Sequence, residues 1–215
     1  MRIVNMGCGA SPTAGAENYD NSFTVRLGRR PLLKKLLRAL SLISAEQAAY
    51  ADFCRENGVM RGSCTRMPIA DGSVDVLYAS HMLEHLSMAR RAAFFGEAKR
   101  VLKPGGVLRL SVPDMARLVK KYEADGDCDA LVEATLLYPA ADDTLRDRLK
   151  QLLFGHRGHH WMYDAASLRK LLTESGFQDV SFPTAGNTTI PFETGIDLSE
   201  RADESVYAEC RKGGQ

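Results

Sequence analysis

The segment Ser73–Leu86, SVDVLYASHMLEHL, decides how this chain is read. It begins as an apolar, β-rich run and ends in H-x-x-E-H, from His81 to His85. Taken alone, that pattern is a zinc signature, in which two histidines one helical turn apart hold the metal and the glutamate serves as base. Such geometry needs both histidines on one helix. Here His81 directly follows the strand-like run, which places it in a strand-to-helix turn where the two imidazoles need not face one ion. No metal site is therefore read from the pattern.

Downstream, a helix is expected from about residue 83 to 102, then a turn at KPGG (103–106), then a strand VLRLSVPD (107–114) closed by Pro113. Strand, helix, turn and strand make a βαβ unit, which implies parallel strands with a right-handed crossover. Upstream, RIVNM (2–6) reads as a buried strand stopping at Gly7-Cys8-Gly9. PLLKKLLRALSL (31–42) sets Leu32, Leu33, Leu36, Leu37 and Leu40 at helical spacing opposite Lys34, Lys35 and Arg38, and SAEQAAYADFCRENG (44–58) reads as a helix with a Ser start and a Gly58 stop. Residues 115–153 read as helical and charged, AASLRKLLTESGF (165–177) as an amphipathic helix, and FQDVSFP and SVYAECRK as final strands.

The expected fold is α/β: a doubly wound, mostly parallel seven-stranded sheet with an antiparallel last strand, helices on both faces and a helical insertion after strand 5. A single domain spans 1–215, with residues 21–58 as a helical lid or insertion and 115–164 as an acceptor-side helical insertion. Ligands of such sheets bind beyond the carboxyl ends of the strands. That directs attention to Gly7–Asp20, Arg61–Pro68, Ser80–His85 and Ser111–Asp114.

Composition bounds the rest. The chain has 215 residues, 45% hydrophobic and 26% charged, with a formal net charge of +1, so nothing global draws it to nucleic acid. Its five cysteines, Cys8, Cys54, Cys64, Cys128 and Cys210, include no C-x-x-C pair and suggest neither a disulfide framework nor a cysteine metal site. The N-terminus is too short in apolar residues for a signal peptide, and no run of about 18 apolar residues occurs. A cytoplasmic protein without a membrane span is expected.

NMGCGASPTAGAENYD (5–20) places glycines directly after a strand, letting backbone approach a ligand, with Asp20 positioned to accept from a ribose diol. Its spacing departs from a dinucleotide fingerprint: no third glycine falls in register and the acid arrives early. Together, this loop, RGSCTRMPIADGSVDVLYASHMLEHL and EAKRVLKPGGVLRLSVPD resemble the class I, Rossmann-like S-adenosylmethionine-dependent methyltransferases, of the type 11 kind. The similarity resumes at HHWMYDAASLRKLLTESGF and SVYAECRK. The shortened GAENYD resembles a subgroup in which the usual first helix is a tight loop.

The resemblance implies S-adenosylmethionine as cofactor, with Gly7, Cys8 and Gly9 against its methionine part and Asp20 on the ribose hydroxyls. Ser63, where many relatives carry an aspartate, and the Cys64 backbone would face the adenine. Ser80 and His81 would leave the fourth strand nearest the methyl. GHRGHHWMYD (155–164) gathers His156, His159, His160, Trp161 and Tyr163 where this fold builds its acceptor site. Imidazole titrates near neutral pH, so His81 and His160 are the candidate bases, with His159 as an alternative to His160. The other reading of this segment is structural, with Trp161 and Tyr163 anchoring a helix that Asp164 caps. Glu84 and His85 are expected in a first helical turn, where a carboxylate suits the positive helix end.

The expected reaction is O-methylation of a small molecule or a sugar or glycan precursor. The alternative is a non-catalytic cofactor-binding protein or partner subunit on the same fold. Helix 31–42 admits weak peripheral membrane contact, against the commoner outcome of a charged face over an apolar core face.

Overall fold

The computed structural model describes residues 1–137 and 158–214. Strands β1 (Ile3–Met6), β2 (Glu17–Asp20), β3 (Met60–Arg61), β4 (Val74–Ser80), β5 (Leu102–Pro113), β6 (Phe177–Ser181) and β7 (Ser205–Lys212) form one sheet in the order β3-β2-β1-β4-β5-β7-β6. The ladders from β3 to β5 are parallel, and β7 runs antiparallel to both β5 and β6. The expected seven-stranded doubly wound sheet with its reversed last strand is thus present.

Period-2 alternation sorts the strand residues onto two faces. Val4, Met6, Leu77, Ala79, Leu108, Leu110 and Val112 pack in one cluster with Phe94, Phe95, Ala98 and Val101 of helix α4 (Met88–Val101) and Leu168 and Leu172 of a helix at Ala165–Glu174. Each such Leu or Phe contributes about 1.5–3 kcal/mol by leaving water. On the opposite face Ile3, Val76, Tyr78 and Val107 pack with Ile190, Ile196 and Leu198, which lie in the loop between β6 and β7.

The β1–β2 connection is short and contains no helix. Two buried asparagines fold it instead: Asn5 Nδ2 donates to Ser11 O at 3.1 Å and Thr13 Oγ1 at 3.0 Å, while Asn18 accepts from Thr13 N at 2.8 Å and donates to Thr13 O at 3.0 Å. Side chains thereby satisfy backbone groups that a helix would have satisfied itself. Residues 21–58 form the crossover from β2 to β3, through α1 (Phe23–Gly28), α2 (Pro31–Ala39) and α3 (Ala45–Glu56). A Cβ at Gly28 would lie 2.2 Å from Ala51 O, so glycine permits the close α1–α3 approach. Ser44 and Gln47 form a reciprocal capping box at the start of α3.

Four expectations need correction. β2 and β3 were not legible as strands; ENYD is polar, and β3 has only 2 residues. The expected KPGG turn is taken up as a bulge within β5, because Val74 pairs with Leu102 while Val76 pairs with Val107. The helix expected from residue 83 is split into a 3₁₀ turn at Leu83–His85 and α4, which starts after Ser87. Glu84 and His85 therefore do not stand in the first turn of α4. The apolar face of α2 is only partly covered: Leu33 and Leu37 pack on the α1–α3 pair, whereas Leu32, Leu36 and Leu40 are exposed.

After β5, α5 (Met115–Asp125) and α6 (Cys128–Thr135) are capped by Asp114 and Asp127. The remainder of the expected 115–153 helical stretch beyond residue 137, and His156 with it, lies outside the described residues. Helix α7 (Ala165–Glu174) opens on the expected cap: Asp164 accepts from Ser167 N at 2.7 Å, and its own N–H donates to Ser167 Oγ at 3.0 Å. Among the described residues, no helix is long and apolar enough to cross a membrane.

Candidate functional site

The strand ends bring the glycine loop, Asp20, the Ser63 loop and the Ser80–His85 turn to one edge of the sheet. Gly7 and Gly9 have φ of 75° and 50°, the left-handed region that glycine adopts without strain. A Cβ on Gly7 would lie 2.6 Å from Met82 Cγ, so the absent side chain lets the β1 turn abut the β4 turn. Gly7 N and Cys8 N donate to Tyr19 O at 2.8 and 3.1 Å, tying the loop to β2.

Asp20 stands at the carboxyl end of β2, beside this loop. Its Oδ2 accepts from Gly9 N at 3.2 Å and its Oδ1 from Ser22 N at 2.6 Å. The helix-free β1–β2 connection explains why the acid arrives so early in the sequence yet reaches the strand-end position. Burial raises the Cys8 thiol to about 12, with the Asp20 charge adding to the effect, so Cys8 is a packed neutral thiol.

Gly62 N donates to Asp20 O at 3.2 Å, which brings the Ser63 loop next to Asp20. The Ser63 hydroxyl shares a hydrogen bond with Thr65 Oγ1 at 3.0 Å and also accepts from Thr65 N at 3.3 Å. Cys64 is buried in the main core.

His81 begins the β4 turn at φ 47°, held by a bond from its N–H to Ser111 O at 2.8 Å. Its ring is engaged at both nitrogens. Arg201 Nη1 lies 3.2 Å from Nδ1, and because a guanidinium only donates, Nδ1 accepts. Nε2 then carries the proton and donates to Ser205 Oγ at 2.9 Å. Burial, followed by the Arg201 charge and the neighbouring imidazoles, lowers the His81 pKa to about 3, so the ring is neutral and weakly basic at physiological pH.

Glu84 is 0% exposed. Its backbone carbonyl accepts from His160 N at 2.7 Å and Trp161 N at 3.3 Å, anchoring the histidine-rich segment over the β4 turn. Among the described residues, neither carboxylate oxygen has a hydrogen-bond partner, and His81 Nδ1 lies 3.5 Å from Oε1. Burial raises the carboxyl to about 7. The carboxylate therefore does not stand at the N-terminal end of α4, because the 3₁₀ turn Leu83–His85 precedes that helix.

His85 Nδ1 donates to Gly158 O at 3.2 Å, and its ring meets that of His159 edge-on at 4.9 Å. Burial lowers the pKa of both imidazoles. Of the adjacent pair, His159 turns inward and His160 is exposed. Tyr163 is buried and accepts from Arg91 Nη1 at 3.2 Å, whereas Trp161 is exposed beneath the Arg91 guanidinium. The structure thus brings together Gly7, Gly9, Asp20 and Ser63 around one loop, and His81, Glu84, His85 and His159 around another. Sequence reasoning missed Asn5, Thr13 and Asn18, which shape the first group, and Arg201 and Ser205, which occupy His81. The available signal was polarity inside strands, as with Asn5 within RIVNM.

A family model described as methyltransferase domain matches residues 35–110. A probable S-adenosylmethionine-dependent methyltransferase of Mycolicibacterium smegmatis is 39% identical over 56 residues, 26% of this chain and 21% of that protein. The aligned stretch thus spans about a fifth of that relative's length. Among solved structures, an S-adenosylmethionine-dependent methyltransferase of Thermotoga maritima, described as a possible histamine N-methyltransferase, superposes with a TM-score of 0.52 at 17% identity, covering 98% of this chain and 82% of that one. One from Methanosarcina mazei superposes with a TM-score of 0.54 at 15% identity, covering 100% and 93%. Those two likenesses define the fold. Together with the match over residues 35–110, they give this chain the Rossmann-like fold of S-adenosylmethionine-dependent methyltransferases.

Proposed function

We propose that this chain binds S-adenosylmethionine across the carboxyl ends of β1, β2 and β4 and transfers its methyl group to an oxygen of a small molecule or a sugar or glycan precursor, in the cytoplasm. The observation that carries the reading is Asp20 at the end of β2, bonded to Gly9 N and adjoining the Ser63 loop. A carboxylate held by two backbone N–H groups keeps lone pairs for a vicinal diol, and the open glycine backbone admits the methionine part. Ser63 and Cys64 would flank the adenine, and Ser80 and His81 would lie toward the methyl.

Transfer from a sulfonium is an in-line displacement: the acceptor oxygen bonds to the methyl carbon as the carbon–sulfur bond breaks, and the electron pair stays on sulfur. The leaving thioether needs no proton, so the protein supplies alignment, exclusion of water and removal of the acceptor's proton. With both ring nitrogens engaged, His81 acts by position. In this reading His160, exposed on the segment anchored to Glu84, takes the acceptor proton. The engagement of His81 also favours a second reading, a cofactor-binding module or partner subunit that transfers no methyl.

Calorimetric titration with S-adenosylmethionine and its demethylated product, followed by a labelled-methyl screen on glycan, lipid and phenol pools, separates these readings. Cofactor binding with label transfer to oxygen is expected. Binding without transfer supports the module, and no binding removes the cofactor assignment. Asp20→Ala should weaken binding by about 1–3 kcal/mol, and an unchanged affinity would assign the ribose to another residue. His160→Ala should lower turnover with cofactor affinity retained; the reverse pattern would place it at the cofactor.

A further inference from the structure

We propose that Glu84, His85 and His159 form a binding site for a divalent transition-metal cation of the zinc type, joining the β4 turn to the histidine-rich segment. One potential ligand atom from each of the three lies within 4.8 Å of the others. This set differs from the H-x-x-E-H pattern: His159, remote in sequence, takes the place of His81, whose Nδ1 already accepts from Arg201.

Three features indicate a site assembled to receive a cation. First, among the described residues both Glu84 oxygens are buried without a hydrogen-bond partner, in a residue 0% exposed. Burying an unpaired carboxylate is destabilising, and a coordinated cation offsets that cost. Second, His159 Nδ1 is also buried without a partner among the described residues. Third, a carbonyl only accepts, so the 3.2 Å bond to Gly158 O fixes the His85 proton on Nδ1 and leaves the Nε2 lone pair for a metal. Metal-binding histidines are commonly oriented by such a bond through the other ring nitrogen.

Two imidazoles and one carboxylate suit zinc and its neighbours, with a fourth position left for water. Ligands about 2.0–2.2 Å from a tetrahedral ion lie about 3.2–3.6 Å apart, so the side chains must draw together, a movement of the size that small torsion changes supply. Bound there, the ion would staple Gly158–Tyr163 to the end of β4, adding to the two backbone bonds on Glu84 O. The inference does not depend on methyl transfer.

The test uses the full chain, stripped with chelator and titrated with Zn²⁺ by calorimetry, with bound metal counted by elemental analysis and melting followed in parallel. One equivalent of zinc and a raised Tm are expected. Glu84→Gln and His159→Ala should each weaken binding by about tenfold or more, a loss at least as large as that seen on removing the outer partners of metal ligands. Cys128→Ser, at an exposed free thiol, should leave binding unchanged. Should Glu84→Gln fail to fold, His159→Gln and His85→Gln carry the same expectation. Absence of stoichiometric binding would overturn the proposal, as would binding indifferent to the His159 and His85 substitutions.

Discussion

The two faces of the sheet are held by different means. One is covered by α4 and α7 chiefly through apolar side chains, whereas the other is covered over its middle by the β6–β7 loop, fastened by a buried ion pair. Arg109 on β5 meets Glu209 on β7, and the pair is 0% and 1% exposed by side chain. Arg109 also donates to Asn187 O at 3.1 Å and Leu198 O at 3.2 Å, and Glu209 accepts from Thr188 Oγ1 and Thr189 N, both at 2.6 Å. A helix satisfies its own backbone, so apolar packing suffices to dock it. A loop does not, and here charged side chains supply the missing partners.

This contrast can be broken most severely at the ion pair. Arg109→Ala should destabilise the fold by about 3–5 kcal/mol, because it leaves Glu209 buried and uncompensated; denaturant melting measures the loss. Hydrogen exchange should show residues 184–200 opening first, and uniform opening of both faces would remove the distinction. Leu168→Ala, on the helical face, should cost about 2–5 kcal/mol through lost burial and a cavity. Its signature differs, since exchange should rise at α7 while the loop stays protected.

Acid sharpens the same comparison. Burial alone would raise the Glu209 pKa, but hydrogen bonds from Thr188, Thr189 and Arg109 outweigh it and hold the value below 4.5. A carboxyl whose folded pKa is depressed contributes stability present above its unfolded value and lost as pH falls through its folded value. Glu209→Gln should therefore flatten the fall of Tm below about pH 4.5 relative to the parent chain. Parallel curves would show that another carboxylate governs acid unfolding. The smallest effect is expected at the α7 cap, where Asp164→Ala should cost about 0.5–2 kcal/mol and leave the loop face unaltered.

The helical face was largely legible. Leu168 and Leu172 follow helical periodicity, Asp164 precedes the run it caps, and Leu77, Ala79, Leu108, Leu110 and Val112 fall at alternate positions of their strands. The loop face was not. Arg109 and Glu209 interrupt apolar runs at alternate positions, but charges 100 residues apart give no local sign that they meet. At the site, the glycines and Asp20 could be named because strand, glycine and acid follow closely in the chain. The fates of the histidines could not. Whether His81 is free or bonded, and whether His159 or His160 turns inward, depends on Arg201, Ser205 and Gly158.

The sequence by itself determined the alternation of strands and helices, the glycine turn after β1 and the strand-to-helix turn that displaced the helical reading of HMLEH, because these rest on periodicity and neighbouring residues. Only the tertiary structure decided that Asp20 reaches Gly9 without an intervening helix, that Arg109 and Glu209 fasten a loop to the sheet, and that Glu84 lies buried among imidazoles. Those outcomes depend on which distant groups share a space closed to water, a property of packing that no local pattern carries.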